Sequence, residues 1–428
     1  MKKVLLITYY WPPAGGPGVQ RVLKFAKYLP EFGWEPVILT VENGNYPAID
    51  ESLCNETPGG IQVYRTHTFE PFKTFKKITG KNTDQPIPTY ILNQDAKDNW
   101  SARFGKWVRV NIFLPDARVG WIPFARKIGK EIVRAEDISV VFSSSPPHSL
   151  QFIGRYISRR TGCRWIADLR DPWTEAFWQR DIKALRPARF INRLLEKTIL
   201  NAADELITVS DSLANILRNK TSKECQVIVN GFDAEDFKNI SKTEGSQFII
   251  TYSGSIGKDQ PLTAFLAALK KLETAILDQI KVNIYGGVHQ QHVAEIAAFN
   301  RNDVINIKPY LPHRELITRI VNSNMLLLII PDTPNNQGIL TGKIFEYLAT
   351  GNFILGIGPE DCDAAKILRD TNAGIMSSYS DDFTQIIRER FKCWVRKEKT
   401  IGADRNIEKY SRRYLTGKLA KILEKQTA

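Results

Sequence analysis

Short apolar runs recur along the chain, and amphipathic or polar segments separate them. Such runs are typical of strands that are buried on both faces of a parallel sheet. They lie at residues 3–8, 34–41, 138–143, 164–167, 203–209, 226–229, 248–252, 281–285, 304–308, 325–330 and 353–357. After the first run, apolar residues recur at helical spacing at Val19, Val22, Leu23, Ala26 and Leu29. The pattern predicts an α/β fold built from strand–helix–strand units.

The length of 428 residues indicates two domains of roughly 200 residues each rather than one core. A polar stretch from Ser241 to Ser246 separates two groups of predicted strands. We therefore predict a first domain over residues 1–240, a second over 241–409 and a C-terminal helical segment over 410–428. Residues 44 to about 135 show no clear pattern, and we predict that they are irregular.

Glycine-rich loops follow the first strand of each predicted domain. The first contains Gly16 and Gly18, and the second contains Gly254 and Lys258 ahead of a helix predicted from Pro261. Open parallel sheets bind ligands at the carboxyl ends of their strands, and glycine lets backbone N–H groups approach a ligand closely. Both loops are therefore candidates to bind phosphate. Arg21 follows the first loop by one turn, and we expect it either to reach the ligand or to lie on the surface.

The stretch from Asn335 to Gly351 is the most informative part of the chain. It predicts a helix that begins near Thr341 and ends at Gly351, between two buried strands. Unpaired N–H groups at the start of a helix favour a phosphate, and Lys343 adds a cation. Glu346 lies one turn further on the same face, where its carboxylate suits a ribose diol. The candidate donor-binding residues here are Leu340, Thr341, Lys343 and Glu346. The alternative is an ordinary capped helix between two strands.

Charged residues follow two strands of the first domain. His148 comes after the run at 138–143, and Asp168, Arg170 and Asp171 come after the run at 164–167. Since parallel strands end at one sheet edge, we predict that these four side chains face one site and are candidates for catalysis. The alternatives are a buried Arg–Asp pair that only shapes the loop, and a histidine that only begins a helix.

The sequence Gly342–Gly351, GKIFEYLATG, resembles the donor-binding motif of the retaining GT-B glycosyltransferases of family four. In that family the glutamate at the position of Glu346 binds the ribose. A second glutamate, eight residues earlier, contacts the transferred sugar, but this chain has Gly338 there. The nearby candidates to replace it are Asp332, Asn335 and Asn336.

The resemblance implies two Rossmann-like domains whose parallel sheets face a central cleft. The first domain would lie on the acceptor side, the second would bind the nucleotide sugar, and the helix at 410–428 would pack back on the first. The family also has a histidine that contacts the transferred sugar, and this chain offers Asp168 or Arg170 in the matching loop. Tyr310 would flank the nucleotide base.

The function that the resemblance implies is transfer of a sugar from a nucleotide-diphosphate sugar to an acceptor hydroxyl, with retention at the anomeric carbon. Lys258, Lys343 and the helix N-terminus would stabilise the leaving diphosphate, so we expect no cofactor and no metal. Asp361-Cys362-Asp363 matches a metal-binding Asp-x-Asp motif, but it precedes a helix, where acidic residues are favourable anyway. The alternative functions are a nucleotide-sugar epimerase on the same fold and a non-catalytic nucleotide-sugar-binding subunit.

The net charge of +13 is concentrated in residues 68–134, which contain 13 Lys and Arg against 6 Asp and Glu, a net +7. Aromatic residues alternate with the cations there, as in Phe72-Lys73 and Phe75-Lys76-Lys77. This pattern suits either an anionic membrane surface or a solvated basic face. We expect no nucleic acid partner, because no nucleic-acid-binding motif is present. The expected acceptor is a glycan or a lipid-linked glycan of the cell surface.

Five scattered cysteines, without a Cys-x-x-Cys spacing, indicate neither a disulfide framework nor a zinc site. They fit a reducing cytosol. No apolar run approaches the roughly 18 residues of a membrane span, and the first run is too short for a signal peptide. We therefore expect a cytoplasmic protein, at or near the inner face of the membrane.

Overall fold

A computed structural model describes residues 1–46, 48–69, 107–108, 110–175, 184–243, 245–398 and 406–425. The chain divides into two compact units, Met1–Val229 with Arg412–Ala428, and Asn230–Ser411. The division precedes our predicted boundary at residue 240. The reason is that Phe232 forms a parallel bridge with Ser411 and donates its N–H to the carbonyl of Tyr410, at 3.0 Å. Residues 230–240 are thereby attached to the end of the second unit.

The first unit contains a parallel sheet of seven described strands in the order β3-β2-β1-β4-β5-β6-β7. Its strands are β1 (Lys2–Ile7), β2 (Trp34–Val41), β3 (Gln62–Thr66), β4 (Val140–Ser145), β5 (Arg164–Leu169), β6 (Glu205–Thr208) and β7 (Cys225–Val227). Its helices are α1 (Pro17–Tyr28), α2 (Ile122–Ala135), α3 (Gln151–Thr161), α4 (Arg186–Ala202) and α5 (Asp211–Arg218). Strands β4 and β5 are buried along their whole length, as their apolar runs predicted.

The second unit contains a parallel sheet of six described strands in the order β10-β9-β8-β11-β12-β13. Its strands are β8 (Phe248–Ser253), β9 (Ile280–Tyr285), β10 (Ile305–Lys308), β11 (Met325–Ile329), β12 (Phe353–Ile357) and β13 (Gly374–Ser377). Its helices are α6 (Thr263–Lys270), α7 (Thr274–Leu277), α8 (Gln290–Phe299), α9 (His313–Val321), α10 (Lys343–Thr350), α11 (Asp363–Asp370) and α12 (Thr384–Val395).

The last helix, α13 (Arg412–Glu424), belongs to the first unit. Its residues Leu415, Leu419 and Leu423 join the apolar core that α1 forms against the sheet. Arg164, at the start of β5, donates from Nη1 to the carbonyl oxygen of Ile422 at 2.6 Å and so fixes the end of the helix. The C-terminal helix therefore packs on the first domain.

The prediction that residues 44–135 are irregular is wrong in two places. Strand β3 forms at the sheet edge, where it pairs with β2, and α2 covers the sheet through Ala125, Gly129, Ile132 and Val133. The helix predicted from Pro261 begins instead at Thr263.

The strand order of each sheet reverses once, between β1 and β4 in the first unit and between β8 and β11 in the second. Ligands bind open parallel sheets at such reversal points, beyond the carboxyl ends of the strands. The loops that follow these strands, together with the first turns of the helices after them, carry most of the predicted site residues.

Candidate functional site

The first unit presents a cationic corner at the start of α1. Gly16 precedes the helix with a φ of 99°, no side chain caps the helix, and its first turn contains no acidic residue. A Cβ atom at Gly18 would lie 2.8 Å from Nη1 of Arg170, so glycine at this position lets the guanidinium pack against the helix. The combined field of the helix N-terminus and Arg170 favours an anion here.

Arg170 is oriented by the loop that follows β4. Its Nε donates to the carbonyl of Ser145 at 3.0 Å, and its Nη2 donates to the carbonyl of Pro146 at 2.9 Å. Nη1 makes no hydrogen bond within the described structure. The guanidinium is therefore held in place with one nitrogen left over for a ligand.

Asp168 requires a correction, because it does not face a ligand site. Its side chain is 0% exposed, and its carboxylate accepts from Nε and Nη2 of Arg21 at 3.0 and 2.8 Å. Ser144 Oγ donates to the same carboxylate at 2.6 Å. Arg21 is equally buried and also bonds to the carbonyls of Ile228 and Val229, so it lies neither at a ligand nor on the surface. The ion pair joins α1 to β5 and to the end of the first unit. It corresponds to the alternative of a buried Arg–Asp pair, except that the arginine is Arg21 and not Arg170.

His148 begins the short 3₁₀ turn His148–Leu150 and is buried. Its ring stacks on Trp173, with centroids 4.7 Å apart and an interplanar angle of 8°. Burial, together with the charge of Arg170, lowers the pKa of His148 to about 3. The imidazole is therefore neutral at physiological pH and cannot serve as a cationic acid.

Asp171 is the carboxylate of the predicted cluster that remains accessible to a ligand. It is partly exposed and makes no hydrogen bond among the residues that the structure describes. Burial raises its pKa, and the neighbouring charge of Arg170 partly offsets that effect. Of the four residues proposed for catalysis, Arg170 and Asp171 keep polar atoms available.

In the second unit, Lys343 begins α10 and reaches back to β8. Its Nζ donates to the hydroxyl of Tyr252 at 2.8 Å and lies 4.0 Å from the centroid of that ring. The same hydroxyl accepts from Gln260 Nε2 at 3.0 Å and donates to the carbonyl of Ser255. Burial lowers the pKa of Lys343 to about 7, and the charge of Glu346 only partly opposes this. An anion bound nearby would stabilise the charged form of Lys343, so this position favours an anionic ligand.

Gly254 leaves room for this lysine. It has a φ of 100°, a left-handed conformation that favours glycine, and a Cβ atom there would lie 3.1 Å from Nζ of Lys343. The helix itself ends at Gly351 in the left-handed conformation, as the sequence predicted.

Glu346 is half-buried and accepts from Nε2 of His313, the first residue of α9, at 3.1 Å. We predicted no role for His313 from the sequence. The signal was present, because His313 begins the helix after the β10 loop, which we assigned to the nucleotide base. A histidine beside this carboxylate keeps it oriented in the absence of a ribose.

The other predicted donor residues differ in accessibility. Tyr310 is 58% exposed beyond β10, and Lys258 is exposed on the loop after β8. Leu340 is nearly buried, so only its backbone could contact a ligand. Thr341 Oγ1 is enclosed and lacks a hydrogen-bond partner within the described structure. An unpaired buried hydroxyl costs about 1–3 kcal/mol, which an oxygen bound at the start of α10 would offset.

A cavity of about 760 Å³ opens at the same edge of the second sheet, between the loops that follow β11, β12 and β13. Asp332 and Asn336, two candidates to replace the glutamate absent at Gly338, line it together with Glu360, Asp361 and Tyr379. The third candidate, Asn335, is exposed in a left-handed conformation. Cys362 caps α11 through its Sγ, and Asp363 lies in the first turn, as expected for acids that favour a helix start.

A sequence profile of the glycosyl transferase 4-like domain matches residues 15–231, about half of the chain. The chain belongs to this glycosyltransferase family. The match covers the glycine loop, Arg170 and Asp171, whereas the Lys343–Glu346 region lies beyond it. A search of curated protein sequences found no significant match.

Solved structures of other glycosyltransferases resemble this one over nearly the whole chain. A glycosyltransferase from Rickettsia africae has a TM-score of 0.62 and 14% identity, covering 100% of this chain and 99% of its own. HepE from Anabaena in complex with UDP has a TM-score of 0.61 and 12% identity, covering 99% of both chains. Sucrose-phosphate synthase from Thermosynechococcus elongatus has a TM-score of 0.64 and 12% identity, covering 99% and 98%.

At these identities the likeness shows the fold, which is the GT-B fold with two Rossmann-like, parallel-sheet domains. No helix in the described ranges of this glycosyltransferase is both long enough and apolar enough to cross a membrane.

Proposed function

We propose that this glycosyltransferase moves a sugar from a nucleoside-diphosphate sugar to an acceptor hydroxyl, with retention at the anomeric carbon. The observation that carries the proposal is that a cation, Lys343, and a carboxylate, Glu346, both lie in the first turn of α10. The structures of HepE with UDP and with UDP-glucose are consistent with such a donor. The resemblance to WaaG, described as acting in lipopolysaccharide biosynthesis, favours a surface polysaccharide or glycolipid as the product, at 10% identity and a TM-score of 0.58.

Lys343 and the start of α10 would bind the diphosphate of the donor. The ammonium points at Tyr252 beside Gly254, and its lowered pKa means that a nearby phosphate would stabilise its charged form. Preorganised cations and N–H groups of this kind stabilise a leaving diphosphate as charge develops on it. We therefore propose that transfer needs no metal ion.

Glu346 would accept hydrogen bonds from the two ribose hydroxyls. Its present partner, His313 Nε2, occupies one carboxylate oxygen at 3.1 Å. In the complex the ribose would use the remaining acceptor positions, and His313 would continue to fix the carboxylate. Tyr310, exposed beyond β10, would contact the base.

On the acceptor side we assign Arg170 to an anionic group and Asp171 to an acceptor hydroxyl. Both residues keep polar atoms available, unlike Asp168 and His148. With no assigned carboxylate nucleophile, retention would follow a front-face reaction in which the leaving phosphate accepts the proton of the acceptor. The contact of Lys73, Lys76 and Lys77 with an anionic membrane stays a prediction, because these residues lie outside the described ranges.

A panel of nucleoside diphosphates and their sugars tests the proposal, first by thermal shift and then by turnover. We expect stabilisation by one nucleoside diphosphate and its sugar, and transfer to a glycan acceptor whose product keeps the anomeric configuration by NMR. Product of inverted configuration would contradict retention. Donor conversion without any acceptor would indicate the epimerase alternative, and binding without turnover over a broad acceptor set would indicate the binding-subunit alternative.

A further inference from the structure

Helix α4 carries apolar side chains that are exposed in the described part of the first unit. Phe190 is 68% exposed and Leu194 is 55% exposed, and Leu185 and Ile191 are also exposed. Soluble proteins expose single apolar residues routinely, but several adjacent ones on one helix mark an interaction site.

The opposite face of α4 is firmly attached to the unit. Asn192 Oδ1 accepts from Nε1 of the buried Trp173 at 3.3 Å. Glu196 is buried, accepts from Lys220 Nζ at 2.7 Å and from Thr174 Oγ1 at 2.6 Å. These contacts fix the rotation of the helix, so the apolar residues are held outward.

The exposed half of α4 is also cationic. Arg186, Arg189, Arg193 and Lys197 are exposed, and none forms an ion pair with a described residue. The acidic residue of the helix, Glu196, is buried on the other side. The exposed face therefore carries four positive charges and no negative one.

The cations and the apolar residues form two neighbouring stripes. At about 100° per residue, Phe190, Leu194 and Ile191 occupy one side of the exposed half, and the four basic residues occupy the adjoining side. At the start of the helix the backbone N–H of Leu185 donates to Asn111 Oδ1 at 2.7 Å, and Ile112, the residue after Asn111, is also exposed.

We propose that this face, comprising Leu185, Phe190, Ile191, Leu194 and the four flanking cations, is a docking surface for an anionic lipid bilayer. A helix that lies in the plane of a membrane inserts its apolar residues among the acyl chains, while its arginines and lysines bind lipid phosphates. The proposal does not depend on the sugar donor or on the acceptor.

A second copy of the chain is a poorer occupant for this face. In a two-fold contact the same patch meets itself, so the four cations of each copy would oppose each other without an acidic partner. A bilayer with anionic headgroups offers both complementary charge and an apolar interior. The combination of these two requirements selects the lipid surface.

Co-sedimentation of the full chain with vesicles tests the proposal. We expect binding to phosphatidylglycerol-containing vesicles, little binding to pure phosphatidylcholine, and weakening as salt rises. The charge variant Arg186→Gln/Arg189→Gln/Arg193→Gln should reduce partitioning roughly 100-fold, since each cation near an anionic surface contributes about one factor of five. The apolar variant Phe190→Ser/Leu194→Ser should reduce it at low and at high salt alike.

Two matched double variants test whether vesicle binding requires this face of α4 or only the overall charge and hydrophobicity of the protein. Arg193→Gln/Leu194→Ser removes one cation and one apolar residue from α4, whereas Lys392→Gln/Val395→Ser removes the same from the exposed side of α12. Only the first should weaken vesicle binding, and thermal unfolding should confirm that both variants fold.

Equal loss in the two double variants would overturn the proposal, as would equal binding of the wild type to neutral and anionic vesicles. Analytical ultracentrifugation supplies a further check. If the wild type is a dimer and the variants at Phe190 and Leu194 are monomers that still bind vesicles, the face joins two copies and the proposal is wrong.

Discussion

At Lys343 the positive charge that should favour donor binding should also destabilise the ligand-free protein. Its ammonium is largely enclosed at the start of α10, where, among the described residues, its one hydrogen bond goes to the neutral hydroxyl of Tyr252. Burial lowers the pKa from 10.5 to about 7. We expect Lys343→Met, which keeps the length of the side chain and removes its charge, to stabilise the free protein and to weaken donor binding.

The direction of the pH dependence follows from the two pKa values. In the unfolded chain Lys343 keeps its proton up to about pH 10.5, whereas in the folded chain it loses the proton near pH 7. Between these values unfolding takes up a proton, so the free energy of unfolding of the wild type should rise with pH. The lowering corresponds to at most about 5 kcal/mol at 1.36 kcal/mol per pH unit. Because Lys343 retains some contact with solvent, we expect about 2–3 kcal/mol.

Chemical denaturation between pH 6 and pH 10 measures this effect, because this range covers most of the interval between the pKa of Lys343 in the folded chain and that in the unfolded chain. Lys343→Met should exceed the wild type in stability most at the acid end, and the difference should shrink as pH rises. Lys258→Met, on an exposed loop of the same unit, should leave the pH dependence unchanged. A Lys343→Met protein that is no more stable than the wild type at pH 6 would refute the reasoning.

Calorimetric titration with a nucleoside diphosphate examines the binding side. A phosphate beside Lys343 stabilises the ammonium, so binding above pH 7 should take up a proton, and affinity should fall as pH rises further. A hydrogen bond to a charged group contributes about 1.5–3 kcal/mol, so Lys343→Met should weaken binding by about one to two orders of magnitude. Titration in buffers of different ionisation enthalpy measures the proton uptake directly. Absence of uptake at pH 8 would place the diphosphate elsewhere.

Three further predictions concern the carboxylates. Glu346→Gln should lower affinity for a ribonucleotide by about one to two orders of magnitude and reduce discrimination against the 2′-deoxy form, which calorimetry measures. Turnover should survive EDTA and the change Asp361→Asn; activity lost with EDTA and restored by Mn²⁺ would contradict metal independence. Asp168→Asn should cost about 3–5 kcal/mol in urea denaturation, because it leaves the buried Arg21 without its countercharge, whereas Asp171→Asn should mainly reduce turnover.

The central strands of both sheets were predictable because burial on two faces leaves an uninterrupted apolar run. β11 and β12, which are buried throughout, agree with their predicted runs to within one residue. Two of the four strands at the edges of the described sheets, β3 and β13, were not predicted, for the converse reason. β3 is half-exposed, and β13 begins with Gly374, where an added Cβ atom would lie only 1.9 Å from the carbonyl oxygen of Ile354. Edge positions impose a weaker apolar pattern, although the short runs of the other two edge strands, β7 and β10, still predicted them.

The helix that carries the candidate donor residues, α10, was predictable because its start and end signals are local. Lys343 and Glu346 lie within one turn, and their helix begins and ends at signals in the same short stretch. Their partners are distant in sequence, since Tyr252 lies on β8 and His313 on α9. No local pattern connects these residues, so only the fold brings them together.

The wrong prediction for Asp168 arose because β5 is two residues longer than its apolar run. The apolar run predicts that β5 ends at Ala167, which would place Asp168 in a loop beside Arg170. The strand continues to Leu169, and Asp168 pairs in register with Ser144 inside the sheet, where α1 covers it and supplies Arg21. A charged residue can extend a buried strand when a countercharge from another element compensates its desolvation, and the sequence gives no sign of that compensation. Because the strand ends at Leu169 rather than at Ala167, Arg170 and Asp171 are the first side chains able to reach a ligand. We therefore propose that the chemistry predicted for the whole cluster rests on these two residues.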